Sequence, residues 1–383
     1  MARALYIHWP FCLAKCPYCD FNSHVRDSVE VEKWQKSLLS DLRHEADMAG
    51  GEQLESIFFG GGTPSLMPPS LVEALLNEAE RLWGFSSEIE ITLEANPSSV
   101  EAEKFADLAA CGVNRVSLGL QSLDDEALKF LGRLHGVEEG LAALNTAQTA
   151  FNRVSFDLIY ALPEQDIRLW RKQLSDALGF GTSHLSLYQL TIEPGTRFET
   201  MVRKGDFQPL DDDVAADFFA LTQEMTARAG LPAYEISNHA RPGEESRHNL
   251  TYWRYQDYVG IGPGAHGRRG GKATIRHKKP ENWLDSVAAQ GHGIAEERPL
   301  GTSEQASEAL LMGLRLAEGL DLPSLSARFG IAETELLDFR RFDFYLGQGL
   351  CWRKGARIGV SEAGMPLLDA LLGELVPAGL VSA

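Results

Sequence analysis

Three scarcities bound this sequence before any motif is read. No run comes near the roughly 20 consecutive apolar residues that a membrane span needs, so no integral membrane segment is expected. Positive charge is in deficit, with 36 Lys and Arg against 54 Asp and Glu and a formal net charge of −18. Such a field repels nucleic acid and anionic lipid, and no nucleic-acid partner is expected. Cysteine is sparse, five in 383 residues, which argues against a disulfide framework and for a reducing compartment. No basic and apolar leader precedes the first strand-like run, so the expected location is cytoplasmic.

What is present in quantity is ordinary. A chain 44% hydrophobic and 23% charged buries a globular core, and its length suits a barrel with an appendage.

The few cysteines are not scattered. Cys12, Cys16 and Cys19 lie in the run His8-Trp9-Pro10-Phe11-Cys12-Leu13-Ala14-Lys15-Cys16-Pro17-Tyr18-Cys19-Asp20-Phe21, directly after the strand-like Ala4 to Ile7. A [4Fe–4S] cluster takes four cysteines, one per iron; three leave one iron open to an exogenous ligand. A structural zinc site is the competing reading, with a fourth ligand from His8 or His24 closing a tetrahedron. Cys111 and Cys351 stand far apart and read as buried, inert thiols.

Short β-branched runs alternate with longer amphipathic ones, the pattern of βα units and a parallel sheet. Strands are predicted at Ala4 to His8, Glu55 to Phe59, Glu90 to Ala95, Arg115 to Leu118, Val154 to Ile159 and His184 to Gln189. The helices between them are predicted at Ser28 to Met48, Pro69 to Trp83, Ser99 to Cys111, Val137 to Phe151 and Leu169 to Leu178. Six repeats do not close an eight-fold barrel, so the fold class is α/β, a partial (β/α)6 barrel. Functional groups are expected where its strands end.

Those ends are polar. The cysteine loop follows the first strand, and Gly60-Gly61-Gly62-Thr63-Pro64 follows the second. Glycines there let backbone approach a ligand and offer free N–H groups. Glu94-Ala95-Asn96-Pro97 ends the third strand and Gly119-Leu120-Gln121-Ser122 the fourth. Asp157 is the one charge in the apolar fifth strand, which calls for a polar pocket, and Arg133 is placed to approach it. Each has a plainer reading: a turn for the glycines, a surface carboxylate for Glu94, a loop amide for Gln121, a solvated ion pair for Arg133. Their shared placement is the argument for function.

A helix is predicted over Asp211 to Ala229 and a strand over Ala233 to Ser237. Residues 1–235 then form the barrel unit, 236–300 an irregular connecting region rich in Gly and Pro, and 301–383 a mostly helical, winged-helix-like unit. In the connecting region His248, four and five residues before Tyr252 and Trp253, reads either as a hydrogen-bonded structural histidine or as an iron ligand beside one wall of a flat apolar pocket. The basic stretch Arg268 to Lys279 reads either as an attractor of porphyrin propionates or as a solvated hairpin turning at Gly270-Gly271. The last unit carries Glu333, Glu335, Asp338, Asp343, Glu362, Asp369 and Glu374, which argues for a cap or docking role and against DNA.

Assembled, these motifs resemble the radical S-adenosylmethionine (SAM) superfamily and, over nearly the whole length, the oxygen-independent coproporphyrinogen III oxidase-like family in its haem chaperone (HemW) branch. The resemblance rests on Tyr6-x-His8-x-Pro10-Phe11-Cys12-x3-Cys16-x2-Cys19, Gly60 to Pro64, Gly119-x-Gln121-Ser122 and Asp157-Leu158-Ile159-Tyr160-x-Leu162-Pro163. It implies Cys12, Cys16 and Cys19 as [4Fe–4S] ligands, with Tyr6, Tyr18, Gly61, Gly62, Thr63, Glu94, Gln121, Arg133 and Asp157 around SAM. The oxidase branch has a further cysteine two residues after the third; Phe21 stands there in this chain. Cys19-Asp20-Phe21-Asn22-Ser23 and the HNxxYW run His248 to Trp253 match the chaperone branch instead, which implies haem as a cofactor, His248 as its ligand and Tyr252 and Trp253 near the ring.

The function implied is therefore a haem chaperone that binds haem and delivers it to acceptor haemoproteins, without oxidase activity. The alternative is an oxygen-independent coproporphyrinogen III dehydrogenase, and radical chemistry on another substrate is a third reading. An iron–sulfur- or haem-linked homodimer is compatible with the sequence.

Overall fold

The computed structural model describes residues 3–26, 28–50 and 53–381; of the expected units, residues 1–2 of the first and 382–383 of the last lie outside these at the outer bounds. Six strands follow one another across a sheet: β1 (Ala4–Trp9), β2 (Leu54–Gly61), β3 (Phe85–Ala95), β4 (Arg115–Gln121), β5 (Arg153–Tyr160) and β6 (His184–Gln189). All five pairings between them are parallel, and each strand lies beside its successor. The crossovers are helical, beginning with α1 (Val31–Ala49) and α2 (Pro69–Trp83).

Side chains alternate across a strand. One set, including Leu5, Ile7, Ile57, Phe59, Leu93, Val116, Phe156 and Leu187, is buried in the large apolar core with Leu38, Leu42, Leu71 and Leu75 of the helices. The other set is polar. Tyr6 and His8 of β1, Glu94 of β3, Arg115 and Ser117 of β4, Asp157 of β5 and Ser186 and Tyr188 of β6 all line one cavity of about 690 Å³. A closed (β/α)8 barrel fills its interior with packed apolar layers; this half-open one keeps a chamber.

The sequence expectation fails over residues 236–300, which are not irregular. The strand expected at Ala233 to Ser237 forms later, as β7 (Asn238–Ala240), antiparallel to β6. The Glu235 carboxylate accepts the Ser237 N–H at 3.1 Å and holds the earlier segment in a turn. After it come α3 (Arg247–Trp253), β8 (Tyr258–Ile261), β9 (His266–Arg269), β10 (Lys272–Arg276), α4 (Pro280–Gln290) and β11 (Ile294–Pro299). β8 pairs parallel with β1, and β9 to β11 continue as an antiparallel edge. The glycines mark close crossing of strands: a Cβ on Gly260 would lie 2.1 Å from the His266 carbonyl oxygen.

Nor is the basic stretch wholly solvated, although Lys278 and Lys279 at its end are exposed. It does form a hairpin with Gly270 and Gly271 at the turn, but Arg276 is 0% exposed and Arg269 5%. Arg276 reaches Asp41 of α1 at 2.7 Å and Glu45 at 2.8 Å, and Arg269 reaches Glu45 at 2.8 Å. Asp41 also accepts the N–H groups of Gly262 and Gly293 at 3.1 Å each. This buried network ties the antiparallel edge to α1. Removing one partner of such a pair costs about 3–5 kcal/mol, because the other charge is left buried and alone. Asp41→Ala is expected to lower the urea-unfolding free energy by that amount.

Two further predicted helices are broken. Ser99 to Cys111 divides into Ser99–Ala102 and Phe105–Ala110, with Glu101 turned inward to accept the Asn96 N–H at 2.8 Å. In the last unit, where the apolar spacing also predicts a helix over Thr334 to Phe344, the run divides because Leu337 is extended and Asp338 caps a new helix, accepting the Arg341 N–H at 3.0 Å.

The C-terminal region has its own apolar core. It comprises α5 (Thr302–Gly313), α6 (Leu322–Phe329), shorter helices, and a small sheet of β12 (Leu320–Asp321), β13 (Cys351–Lys354) and β14 (Arg357–Val360) in the order β12-β14-β13. It clasps the end of α3: Tyr255 Oη donates to Glu308 at 2.5 Å, Arg268 and Arg328 lie over the Tyr255 ring at 4.5 and 5.4 Å, and Arg254 pairs with Glu318 at 2.9 Å. Among the described residues, no helix is long and apolar enough to cross a membrane.

Candidate functional site

The cysteine loop leaves β1 at Trp9 and is held from below by the glycine run that ends β2. The Gly62 N–H donates to Trp9 O at 2.7 Å and the Thr63 N–H to Phe11 O at 2.8 Å, while the Gly61 N–H donates to Glu94 Oε2 at 3.2 Å. These amides are thus not free for a ligand, as the sequence reading expected. They fix the loop. Gly62 is required for that contact, since a Cβ there would fall 2.7 Å from Phe11 O.

Cys12, Cys16 and Cys19 are half-buried and unpaired. Burial pushes the Cys12 thiol up, opposed by the Thr63 hydroxyl, and the Cys19 thiol up, opposed by the Phe21 N–H. Thiolates here therefore need a positive group to persist, and ligation to a metal supplies one. Arg133 is already present: Nη1 donates to Cys16 Sγ at 3.4 Å and Nη2 to Asn96 Oδ1 at 2.6 Å and Gly119 O at 3.0 Å. Asn96 Nδ2 in turn donates to Thr63 Oγ1 at 3.0 Å. Arg133 Nε is buried without a partner, a donor available to an anionic group.

The histidines of the zinc reading are engaged elsewhere. His8 has Nδ1 3.0 Å from Tyr6 Oη and Nε2 2.9 Å from Asn22 O, and burial pushes its pKa down to about 4. His24 Nε2 is 3.3 Å from Asn22 Oδ1. Among the described residues no group of three or more His, Cys, Asp or Glu, the three loop thiols included, is placed to hold a single metal ion; the case for a cluster rests on the spacing and chemistry of the donors. The donor set of three thiols with no fourth protein ligand fits an open-cornered cluster.

The cavity floor carries two carboxylates. Burial pushes Glu94 up to about 8, with Asp157 adding like-charge repulsion. Burial likewise raises Asp157 to about 6, opposed by hydrogen bonds from Ser186 and Ser117; Ser117 Oγ donates at 3.3 Å. Register places Glu94 beside Ser117 and Asp157 beside Ser186. Arg115 and Arg133 partly offset Asp157, but burial still holds both carboxylates above their ordinary range, and on a cavity wall they suit a cationic ligand.

The site residues predicted from sequence thus fall into two groups. Tyr6, Gly61, Glu94 and Asp157 line the cavity; Tyr18, Gly62, Thr63 and Arg133 gather at the cysteine loop, where the buried Tyr18 phenol sits near Arg133 and Cys16 and is held above its ordinary range by burial. Gln121 lies between, at φ 69°, where the β4–β5 register shifts. A non-glycine residue in that region is strained, as functional strand ends often are.

His248, Tyr252 and Trp253 project from α3 into the same cavity. His248 is only 5% exposed, stacks on Phe58 at 5.0 Å and has Nδ1 3.3 Å from Ser56 Oγ. Burial pushes it down to about 4, so the imidazole is neutral, the form that ligates metals. Trp253 Nε1 is buried without a partner.

Sequence reading missed Asn96 as the bridge between Arg133 and Thr63, and it missed Arg115, Ser117 and Ser186 in the chamber. The period-2 polarity of Arg115-Val116-Ser117 and His184-Leu185-Ser186 was the available signal.

The sequence profile described as "Radical SAM superfamily" matches residues 6–171, and "HemN C-terminal domain" matches 302–367. The "Heme chaperone HemW" of Escherichia coli (strain K12) is 36% identical over 378 residues, 96% of this chain and 97% of that protein. The mouse "Radical S-adenosyl methionine domain-containing protein 1, mitochondrial" is 39% identical over 98% of this chain and 87% of its own length. This chain belongs to the radical SAM superfamily, in its HemW branch. The solved coproporphyrinogen III oxidase (HemN) of Escherichia coli shares the fold, with a TM-score of 0.83 over 97% of this chain and 89% of that one at 21% identity. A radical SAM domain implies a [4Fe–4S] cluster and SAM, and the thiol set and the floor carboxylates fit both.

Proposed function

We propose that this protein is a haem chaperone, binding haem and passing it to acceptor haemoproteins from a radical SAM scaffold. The observation that carries the reading is the near full-length similarity to proteins named haem chaperones, 36% identical over 96% of the chain. Phe21 at the position of the oxidase branch's extra cysteine supports it.

In this reading Cys12, Cys16 and Cys19 hold three irons, and Arg133 offsets the charge beside Cys16. Tyr18 and Thr63 pack against those sulfurs, and Gly61 and Gly62 keep the loop in place below them. Glu94 and Asp157 receive the positive end of SAM, with Tyr6 as a wall and Gln121 at the adjoining strand end. A reduced cluster held by these thiols would supply one-electron chemistry toward the sulfonium of SAM. His248 presents a neutral imidazole from α3, and Tyr252 and Trp253 continue the wall on which the flat ring lies.

The test uses anaerobically purified protein with its cluster reconstituted. Incubated with SAM and coproporphyrinogen III it is expected to form no protoporphyrinogen IX, and titrated with haem it is expected to develop a saturable Soret band. Appearance of the product, or no haem binding, overturns the proposal.

A further inference from the structure

His248 is at the bottom of the chamber, but another imidazole stands at its mouth. His266 opens β9, is exposed, and lines the same cavity. Among the described residues neither of its ring nitrogens has a hydrogen-bond partner, whereas His8, His184 and His248 each have one. Its backbone is fixed: the residue pairs with Ile275 across the β9–β10 hairpin. The preceding turn is equally rigid, with Asn22 Nδ2 donating to Pro263 O and Lys278 O at 2.9 Å each and the Gly264 N–H donating to His277 O at 3.0 Å.

The surroundings of His266 have the chemistry of an amphipathic, flat dianion. Phe21, 61% exposed, lines this end of the cavity. Lys278 lines it too and has no ion-pair partner among the described residues. Apart from the neighbouring Lys279, which is exposed but does not line the cavity, the lysines and arginines of the basic stretch are committed: Arg268 to Glu308, Arg269 to Glu45 and Glu297, Lys272 to Glu297, Arg276 to Asp41 and Glu45. An exposed ring from the cysteine loop, an ammonium just after β10 and an unengaged imidazole at the start of β9, all lining one cavity, satisfy the apolar face, a carboxylate and the iron of haem respectively.

We infer that His266, with Phe21 and Lys278, forms an entry site for haem at the cavity mouth, where the iron first gains an imidazole ligand. The inference rests on the haem-binding reading above. It explains how a ring could be taken up although His248 is nearly sealed: uptake at His266 needs no rearrangement of the barrel, while capture by His248 requires the ring to move inward.

Haem is titrated, under anaerobic conditions, into the cluster-loaded full chain and into His266→Ala, His248→Ala and Lys278→Gln, following the Soret band at equilibrium and by stopped flow. Far-UV circular dichroism confirms that each variant is folded. His266→Ala is expected to slow association by roughly tenfold or more and to change the position of the first Soret intermediate, as loss of an axial ligand does. His248→Ala should leave that first phase intact, and Lys278→Gln should weaken it and reduce its salt dependence. Wild-type kinetics and spectrum in His266→Ala refute the entry site while leaving haem binding standing. No binding by the wild type removes the chaperone reading itself, and the two failures are therefore distinguishable.

Discussion

Cys16→Ser is expected to lose the brown absorbance at about 400 nm that marks an iron–sulfur cluster, along with its iron and sulfide, while the apoprotein keeps its fold. Both halves follow from the loop. On the proposed reading each cysteine is one of three protein ligands, so losing one leaves the cluster short, and the nearby His8 and His24 are engaged with Tyr6 and Asn22. The apolar core is built from strand and helix side chains, and no thiol of the loop contributes to it. Anaerobic reconstitution with iron and sulfide assays, run beside circular dichroism, checks both. Retention of full iron and sulfide would mean that the loop has been misassigned.

The second large effect concerns SAM. Asp157→Asn is expected to weaken SAM binding by roughly 30-fold or more, the cost of removing a buried charge from a cationic partner, and calorimetric titration reads it directly. pH supplies an independent check. Burial holds Glu94 at about 8 and Asp157 at about 6, and a cation is attracted by their ionised forms. SAM affinity should accordingly rise as pH passes through the Asp157 value near 6 and then the Glu94 value near 8, levelling off only above the latter. Stability moves the other way. Both folded-state values lie above the unfolded ones, near 4, so the folded apoprotein binds more protons across that window and loses stability as pH rises through it. SAM, by neutralising the pair, should flatten that slope. A flat affinity profile over this range would remove the two carboxylates from the SAM site.

How far the sequence announced this molecule depends on the kind of residue. The six parallel strands were legible because their β-branched, alternating runs sit between amphipathic helices, and Pro69 to Trp83 was bounded correctly by its own proline and glycine. Residues 236–300 were misread because glycine has two meanings: Gly270 and Gly271 do turn a hairpin, but Gly260 is there so that two backbones can cross. The basic stretch was misread for a related reason, since Arg269 and Arg276 find their carboxylates on α1, more than two hundred residues away in sequence. At the site, the cysteine spacing and lone Asp157 carried their own signal. Asn96 carried none, because an amide becomes a bridge between Arg133 and Thr63 only once β2, β3 and β4 are side by side.

One consequence follows from the clasp on Tyr255. Glu308 and Arg328 of the C-terminal region grip Tyr255, two residues past the end of α3, with Arg268 of β9 on the same ring, and α3 is the helix that carries His248 and Trp253 into the chamber. The C-terminal region is therefore a buttress for an interior wall some distance from it. A chain cut short after Leu300 would keep every thiol and carboxylate of the barrel yet lose the brace that keeps the His248 helix in register.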